Sequence, residues 1–176
     1  MPSSMQLMVG ALLVSMAHTA VPTAATHVTG AEIANLLRQM PSGSVSDQQL
    51  RMVDAGGYQV GVGAVSRPQS ATQTGIEHDK LTEVYYVLEG AGTLVTGGTL
   101  LNAKPVPATS AIYKELTGPS SIGSNIQGGE SRQIAAGDVV IIPAMVPHWF
   151  SDVQGAIKYL VVRIDPERLL APIPPA

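Results

Sequence analysis

Two stretches decide the fold: Gly75–Gly90, GIEHDKLTEVYYVLEG, and Gly137–Asp152, GDVVIIPAMVPHWFSD. In the first, Glu83, Tyr85 and Val87 alternate with Val84, Tyr86 and Leu88, which is the two-residue period of a strand. In the second, Gly137-Asp138 turns the chain into the apolar run Val139–Ile142, read as a short strand, and prolines follow before His148. Alternate side chains of a strand share a face. The reading therefore places Ile76 with His78, Glu83 with Tyr85 and Val87, and His148 with Phe150 and Asp152.

The same period extends outward. Tyr58, Val60, Val62 and Ala64 alternate with Gln59, Gly61 and Gly63; Thr93–Thr96 stops at Gly97-Gly98; Ile157–Ile164 (IKYLVVRI) is the last strong strand before Asp165-Pro166. Glu89-Gly90-Ala91-Gly92 has the turn chemistry of a hairpin joining the strands on either side of it. Residues 98–130 contain Pro105, Pro107, Pro119 and many Gly and Ser, and read as a long irregular excursion of the kind that shapes sites. Upstream the period changes. Thr29-Gly-Ala-Glu32 is a capping box, and Ile33, Leu36, Leu37 and Met40 follow at helical spacing up to Pro41. One N-terminal helix, many short strands and no βαβ alternation predict an all-β antiparallel sandwich or barrel.

Composition narrows the function classes. The 176 residues suit one domain with a real core, and 45 % apolar content excludes a disordered chain. The net charge is −3 with no basic run, so neither nucleic acid nor an anionic lipid surface is an expected partner. With no cysteine, disulfides, thiolate zinc sites and cysteine nucleophiles are all excluded. There is no GxSxG elbow, P-loop, complete GxGxxG or HExxH. At the N-terminus, Leu7–Ala17 is an uncharged 11-residue run followed by small residues, although Met1–Gln6 has no Lys or Arg. It is too short for a membrane span and fits the apolar segment of a secretory signal. The division expected is 1–25 signal peptide, 26–49 helix and lead-in, and 50–176 β-barrel domain, the mature chain being periplasmic or secreted with no membrane span.

The chain has four histidines, of which His18 and His27 lie in polar or boundary sequence. His78, Glu83 and His148 lie beside strands whose faces converge inside a small barrel. Two imidazoles and one carboxylate suit a divalent transition metal such as Fe, Mn, Ni or Zn and leave positions open for water or substrate. The competing reading is structural: a satisfied His78, a Glu83 paired with Lys80, a core His148, and a ligand pocket without metal. Tyr85 offers a hydroxyl to the pocket. Arg163 can bind a carboxylate or form a rim salt bridge, Asp152 can orient His148, and Lys80 reads as solvated.

The two stretches resemble the two motifs of the cupin superfamily. His78, four residues, Glu83, six residues and Gly90 match the second half of the family's first motif; Gly137, five residues, Pro143, four residues and His148 match the second. The chain departs from the pattern at Ile76, where the family has its first histidine, at Met145 in place of a glycine, and at Asp152 in place of an asparagine. The resemblance implies a double-sheet antiparallel β-barrel of jelly-roll type over about residues 50–165. It also implies a mononuclear metalloenzyme acting on a small organic molecule, such as an oxygenase, isomerase or decarboxylase, with the metal on His78, Glu83 and His148; Tyr85, from its place on the Glu83 face, is the expected catalytic group. A non-catalytic module binding a small ligand and a storage or structural cupin remain as alternatives. If Val84, Tyr86 and Leu88 face outward, they form an apolar patch that predicts a homodimer.

Overall fold

The computed structural model describes residues 24–173. The expected signal segment lies outside the described residues apart from Ala24 and Ala25. The elements are α1 Gly30–Gln39, β1 Ser46–Asp54, β2 Gln59–Pro68, β3 Gly75–His78, β4 Thr82–Thr96, β5 Thr99–Leu100, β6 Lys104–Pro105, β7 Ser120–Gly123, β8 Ile126–Gln127, β9 Glu130–Ala135, β10 Val139–Ile142 and β11 His148–Asp165. All strand pairs are antiparallel. No helix among the described residues is long and apolar enough to cross a membrane.

Two long strands organise the domain. The first half of β4 lies between β10 and the second half of β11, and β2 and β1 continue that layer. The second half of β4 lies between β9 and the first half of β11, and β3, β7 and β6 continue the other layer. This is the double-sheet jelly-roll barrel that the cupin resemblance implies. Its core draws on both layers: Val65, Tyr85, Val87, Ile142, Ile157, Tyr159 and Val161 meet Leu94, Ile134, Phe150 and Val153.

Three expectations are corrected. Glu89-Gly90-Ala91-Gly92 does not form a hairpin, because the chain continues through it as one strand of 15 residues. Gly90 instead sits at φ +78° where β4 bends from one layer to the other, opposite a register shift between Gln154 and Lys158 of β11. Turn chemistry supplies the positive φ that either a hairpin or a bend requires. The 98–130 excursion is not wholly irregular: it contributes the short strands β5 to β8, and β7 pairs with β3 inside the main sheet. It also holds one turn of π-helix, Tyr113–Thr117. Lastly, β1 starts at Ser46 within the segment read as lead-in, and it has no clean alternation of burial to announce it.

The helix forms as expected. The Thr29 side chain accepts from Glu32 N, and the Glu32 carboxylate accepts from Thr29 N. Such a cap is worth about 1 kcal/mol. Leu37 and Met40 of this segment pack on Ala64, Leu88 and Leu160, so the helix covers the outer side of β2, β4 and β11. Leu88 is thereby removed from the outward patch. Tyr86 remains 45 % exposed, beside Val139 at 61 % and Ile141 at 67 %. In register, Tyr86 pairs with Val139 and Val84 with Ile141, so these four side chains share one outer face.

Candidate metal centre

The site lies between the layers. β3 ends in His78, the first half of β4 carries Glu83 and Tyr85, and β11 begins with His148. All three candidate ligands are buried: His78 is 4 % exposed, Glu83 2 % and His148 3 %. Their donor atoms all lie within 4.8 Å of one another. Both Nε2 atoms approach the same carboxylate oxygen, Glu83 Oε2, at 3.5 Å from His78 and 3.4 Å from His148. Two donors bound at about 2.1 Å to a tetrahedral ion stand about 3.4 Å apart.

The surrounding hydrogen bonds assign the tautomers. His148 Nδ1 lies 3.1 Å from the Val146 carbonyl, which can only accept, so Nδ1 carries the proton. The Ser120 hydroxyl donates to the Thr117 carbonyl, so its oxygen is free to accept from His78 Nδ1 at 2.9 Å. As a neutral ring, each imidazole therefore turns an unprotonated Nε2 toward the carboxylate. His148 Nε2 is buried with no hydrogen-bond partner. The Tyr85 hydroxyl donates to Glu83 Oε2 but nothing donates to His148 Nε2, and a cation there would satisfy it. Nδ1 held by an outer partner, with Nε2 left for the ion, is how ligating histidines are set. The residues therefore fit a divalent metal.

Glu83 is held from behind. Arg163 Nε donates to Oε1 at 3.0 Å and the Tyr85 hydroxyl to Oε2 at 2.8 Å. Burial alone favours the neutral acid, but charge and hydrogen bonding from the groups around it, the Arg163 guanidinium among them, outweigh it, and the carboxyl stays well below the usual carboxylate range. Burial pushes the Tyr85 hydroxyl well above its ordinary value, and the Glu83 charge pushes further in the same direction. Tyr85 is thus a hydrogen-bond donor and not a base.

Several sequence-based assignments change here. Arg163 is no rim residue: it is 2 % exposed, and its remaining donors reach Gln49 Oε1 at 2.9 Å and Asp47 Oδ2 at 2.5 Å. It is therefore not available to bind a substrate carboxylate. To reach β1 it crosses β2 at Gly63, where an added Cβ would stand 3.3 Å from Arg163 Nη1 and 2.9 Å from Gln49 Oε1. Asp152 does not share the His148 face. The register shifts between Phe150 and Asp152, which turns Asp152 out to solvent, and the Val146 carbonyl takes the role of orienting His148. Glu83 pairs with Arg163 and not with Lys80, whose partner is Glu167 at the surface. Asp47, Gln49, Arg67 and Tyr159 were not identified from sequence. Among them only Arg67, a charge inside an apolar strand, carried a local signal.

A cavity of about 130 Å³ opens onto the three ligands. Ile76 lines it with His78, as their shared strand face requires, and Thr117 and Ile122 of the former excursion complete the wall. Replacing Arg163 with Met is expected to cost about 3–5 kcal/mol, since it strands Glu83 and Asp47 without their buried cation. Urea denaturation of the two proteins measures it, and a loss below about 1 kcal/mol would show the network to be dispensable.

No protein-family model and no curated protein matches the sequence. Among solved structures, the chain is similar to BH2720 from Bacillus halodurans, at 14 % identity over 85 % of this chain and 88 % of that one, with a TM-score of 0.48. It is similar to the SPY1581 protein of unknown function from Streptococcus pyogenes, at 15 % identity over 87 % and 98 %, with a TM-score of 0.45. EutQ of Clostridium difficile aligns at 15 % identity over 70 % and 69 %, with a TM-score of 0.40.

Proposed function

We propose that this chain is a mononuclear metal-binding cupin in which His78, Glu83 and His148 hold one divalent transition metal, and that it acts as an enzyme on a small organic molecule bound in the adjoining cavity. The observation that carries this is the buried, unpartnered His148 Nε2, aimed with His78 Nε2 at one carboxylate oxygen. A metal there supplies Lewis acidity or redox chemistry, and two nitrogens with one oxygen suit Fe, Mn, Ni or Zn. The chain's own residues do the rest. Arg163 and Tyr85 fix the carboxylate, and Ser120 and Val146 fix the imidazoles. Elemental analysis after expression with all four metals supplied tests the reading. About one metal per chain is expected, and its absence would overturn it.

A second reading is a metal-free pocket for a small ligand. It is favoured by one observation: both Glu83 oxygens already accept hydrogen bonds. The same elemental analysis separates the two.

The proposal includes export, with a signal segment removed before about residue 26, and a homodimer through the outer face of Tyr86, Val139 and Ile141. Sedimentation at micromolar concentration is expected to give a dimer that Ile141→Glu converts to monomer. A parent protein that sediments as a monomer removes the interface.

A further inference from the structure

The cavity beside the candidate centre has four charged side chains besides its imidazoles: Asp47, Glu83, Arg67 and Arg163. They are not paired evenly. Arg163 takes both carboxylates, Glu83 through Nε and Asp47 through Nη2. Arg67 forms no ion pair among the described residues. Its Nε donates to the Tyr159 hydroxyl at 2.8 Å and its Nη1 to Gln73 Oε1 at 3.3 Å, and its guanidinium lies 5.3 Å from the centre of the Phe150 ring. Nη2 has no hydrogen-bond partner among the described residues. A guanidinium stays charged at any relevant pH, and a cation drawn into a protein wall is normally paired. Arg67 is therefore a cation on a cavity wall with a donor to spare.

Its position relative to the ligands is set by two tyrosines. The Tyr159 ring that receives Arg67 stacks on Tyr85 with 4.4 Å between centroids, and Tyr85 holds Glu83. One small chamber thus has the metal ligands on one side and the spare guanidinium donor on another. The four side-chain charges cancel, so a divalent ion would leave the chamber with two uncompensated positive charges. An anion is needed to balance them.

We propose that the substrate or ligand is a small organic carboxylate whose carboxylate group pairs with Arg67 while the rest of the molecule faces the metal. The inference rests on the metal-centre reading for that second part. A carboxylate fits better than phosphate or sulfate for two reasons. Asp47 and Glu83 face the same chamber and repel a dianion, and Asp47 Oδ1 is itself buried with no hydrogen-bond partner. Ile76 and Ile122 offer apolar wall for a carbon skeleton. The molecule must be small, because about 130 Å³ is room for only about four waters.

The test uses the full chain loaded with zinc(II), which has no redox chemistry of its own. Acetate, its neutral analogue acetamide and inorganic phosphate are titrated by calorimetry. The fluorescence of Trp149 serves as a second readout: it is the sole tryptophan, and it donates to the carbonyl of Gln73, whose side chain contacts Arg67. The parent is expected to bind acetate at least tenfold more tightly than acetamide and more tightly than phosphate. Arg67→Met is expected to lose the preference for acetate while keeping the parent's zinc content, and Arg67→Lys, which keeps charge without the fork, to fall between. Equal binding of acetate and acetamide by the parent, tighter binding of phosphate, or an undiminished preference in Arg67→Met would each overturn the assignment. The parent comparison stands even if Arg67→Met fails to fold. If the parent takes up no zinc, the metal reading has failed, and the same titration of the metal-free chain still decides the role of Arg67.

Discussion

His148→Ala and His78→Ala are each expected to abolish metal retention, and Glu83→Gln to do the same with its shape kept. The reason is the donor count. Among the described residues the structure brings together three candidate donors of the His, Asp or Glu type and no fourth, and Ile76 occupies the position on β3 two residues before His78. A metal that loses one of three protein ligands keeps two, and no further histidine lines the chamber to replace an imidazole. Metal content by elemental analysis is expected to fall from about one per chain to background in all three variants. The converse variant is Ile76→His. Ile76 lines the same cavity as His78, so an added imidazole there should strengthen metal affinity at least tenfold. It would also fill a position that a substrate needs, and activity should drop as affinity rises. Parent-like metal content in either alanine variant would disprove the ligand assignment.

Gly90→Val prevents the barrel from closing properly. Gly90 has φ +78°, and an added Cβ would stand 1.9 Å from the Ala156 carbonyl oxygen. A side chain in the left-handed region costs about 1–2 kcal/mol on its own. The overlap adds to it, because the obstacle is backbone of β11 that is held in register with Pro68 of β2. The total should exceed about 4 kcal/mol, which is the range of exceptional single substitutions. Gly97→Ala is the control. Gly97 also has a positive φ, +73°, but nothing lies within 4 Å of an added Cβ, so only the backbone cost applies. Thermal unfolding of the two variants separates them, and equal losses would mean that the close approach at Ala156 is not what Gly90 is there for.

The candidate triad was legible because the two motifs place His78 at the end of one strand and Glu83 and His148 at the starts of two others, where spacing puts each on an inward face. The groups that hold the triad were not. Arg163 and Asp47 meet only because β11, β2 and β1 lie side by side, a relation between segments more than 100 residues apart. No local pattern reports it. Asp152 failed for a different reason: one extra residue at Ser151 reverses the face of everything after it until the register recovers. Gly90 shows the limit of turn chemistry, since the residue that permits a hairpin equally permits a bend within one strand. The helix was legible throughout, because its cap and its stripe are local.

The long pairing of β4 with β11 also sets the order in which the molecule can be assembled. Thr82 meets Ile164 and Thr96 meets His148, so the two ligand-bearing strands find each other only across a large closed loop of intervening chain. Contacts of such separation are formed late and slowly. If the three candidate donors gather only after the transition state, an ion that they hold joins a nearly finished barrel. Adding metal is expected to leave the refolding rate unchanged and to slow unfolding, which makes resistance to unfolding, rather than speed of assembly, the property that metal supply controls. Stopped-flow refolding and unfolding with and without the ion measures both arms; a faster refolding limb would show that the ligands gather early.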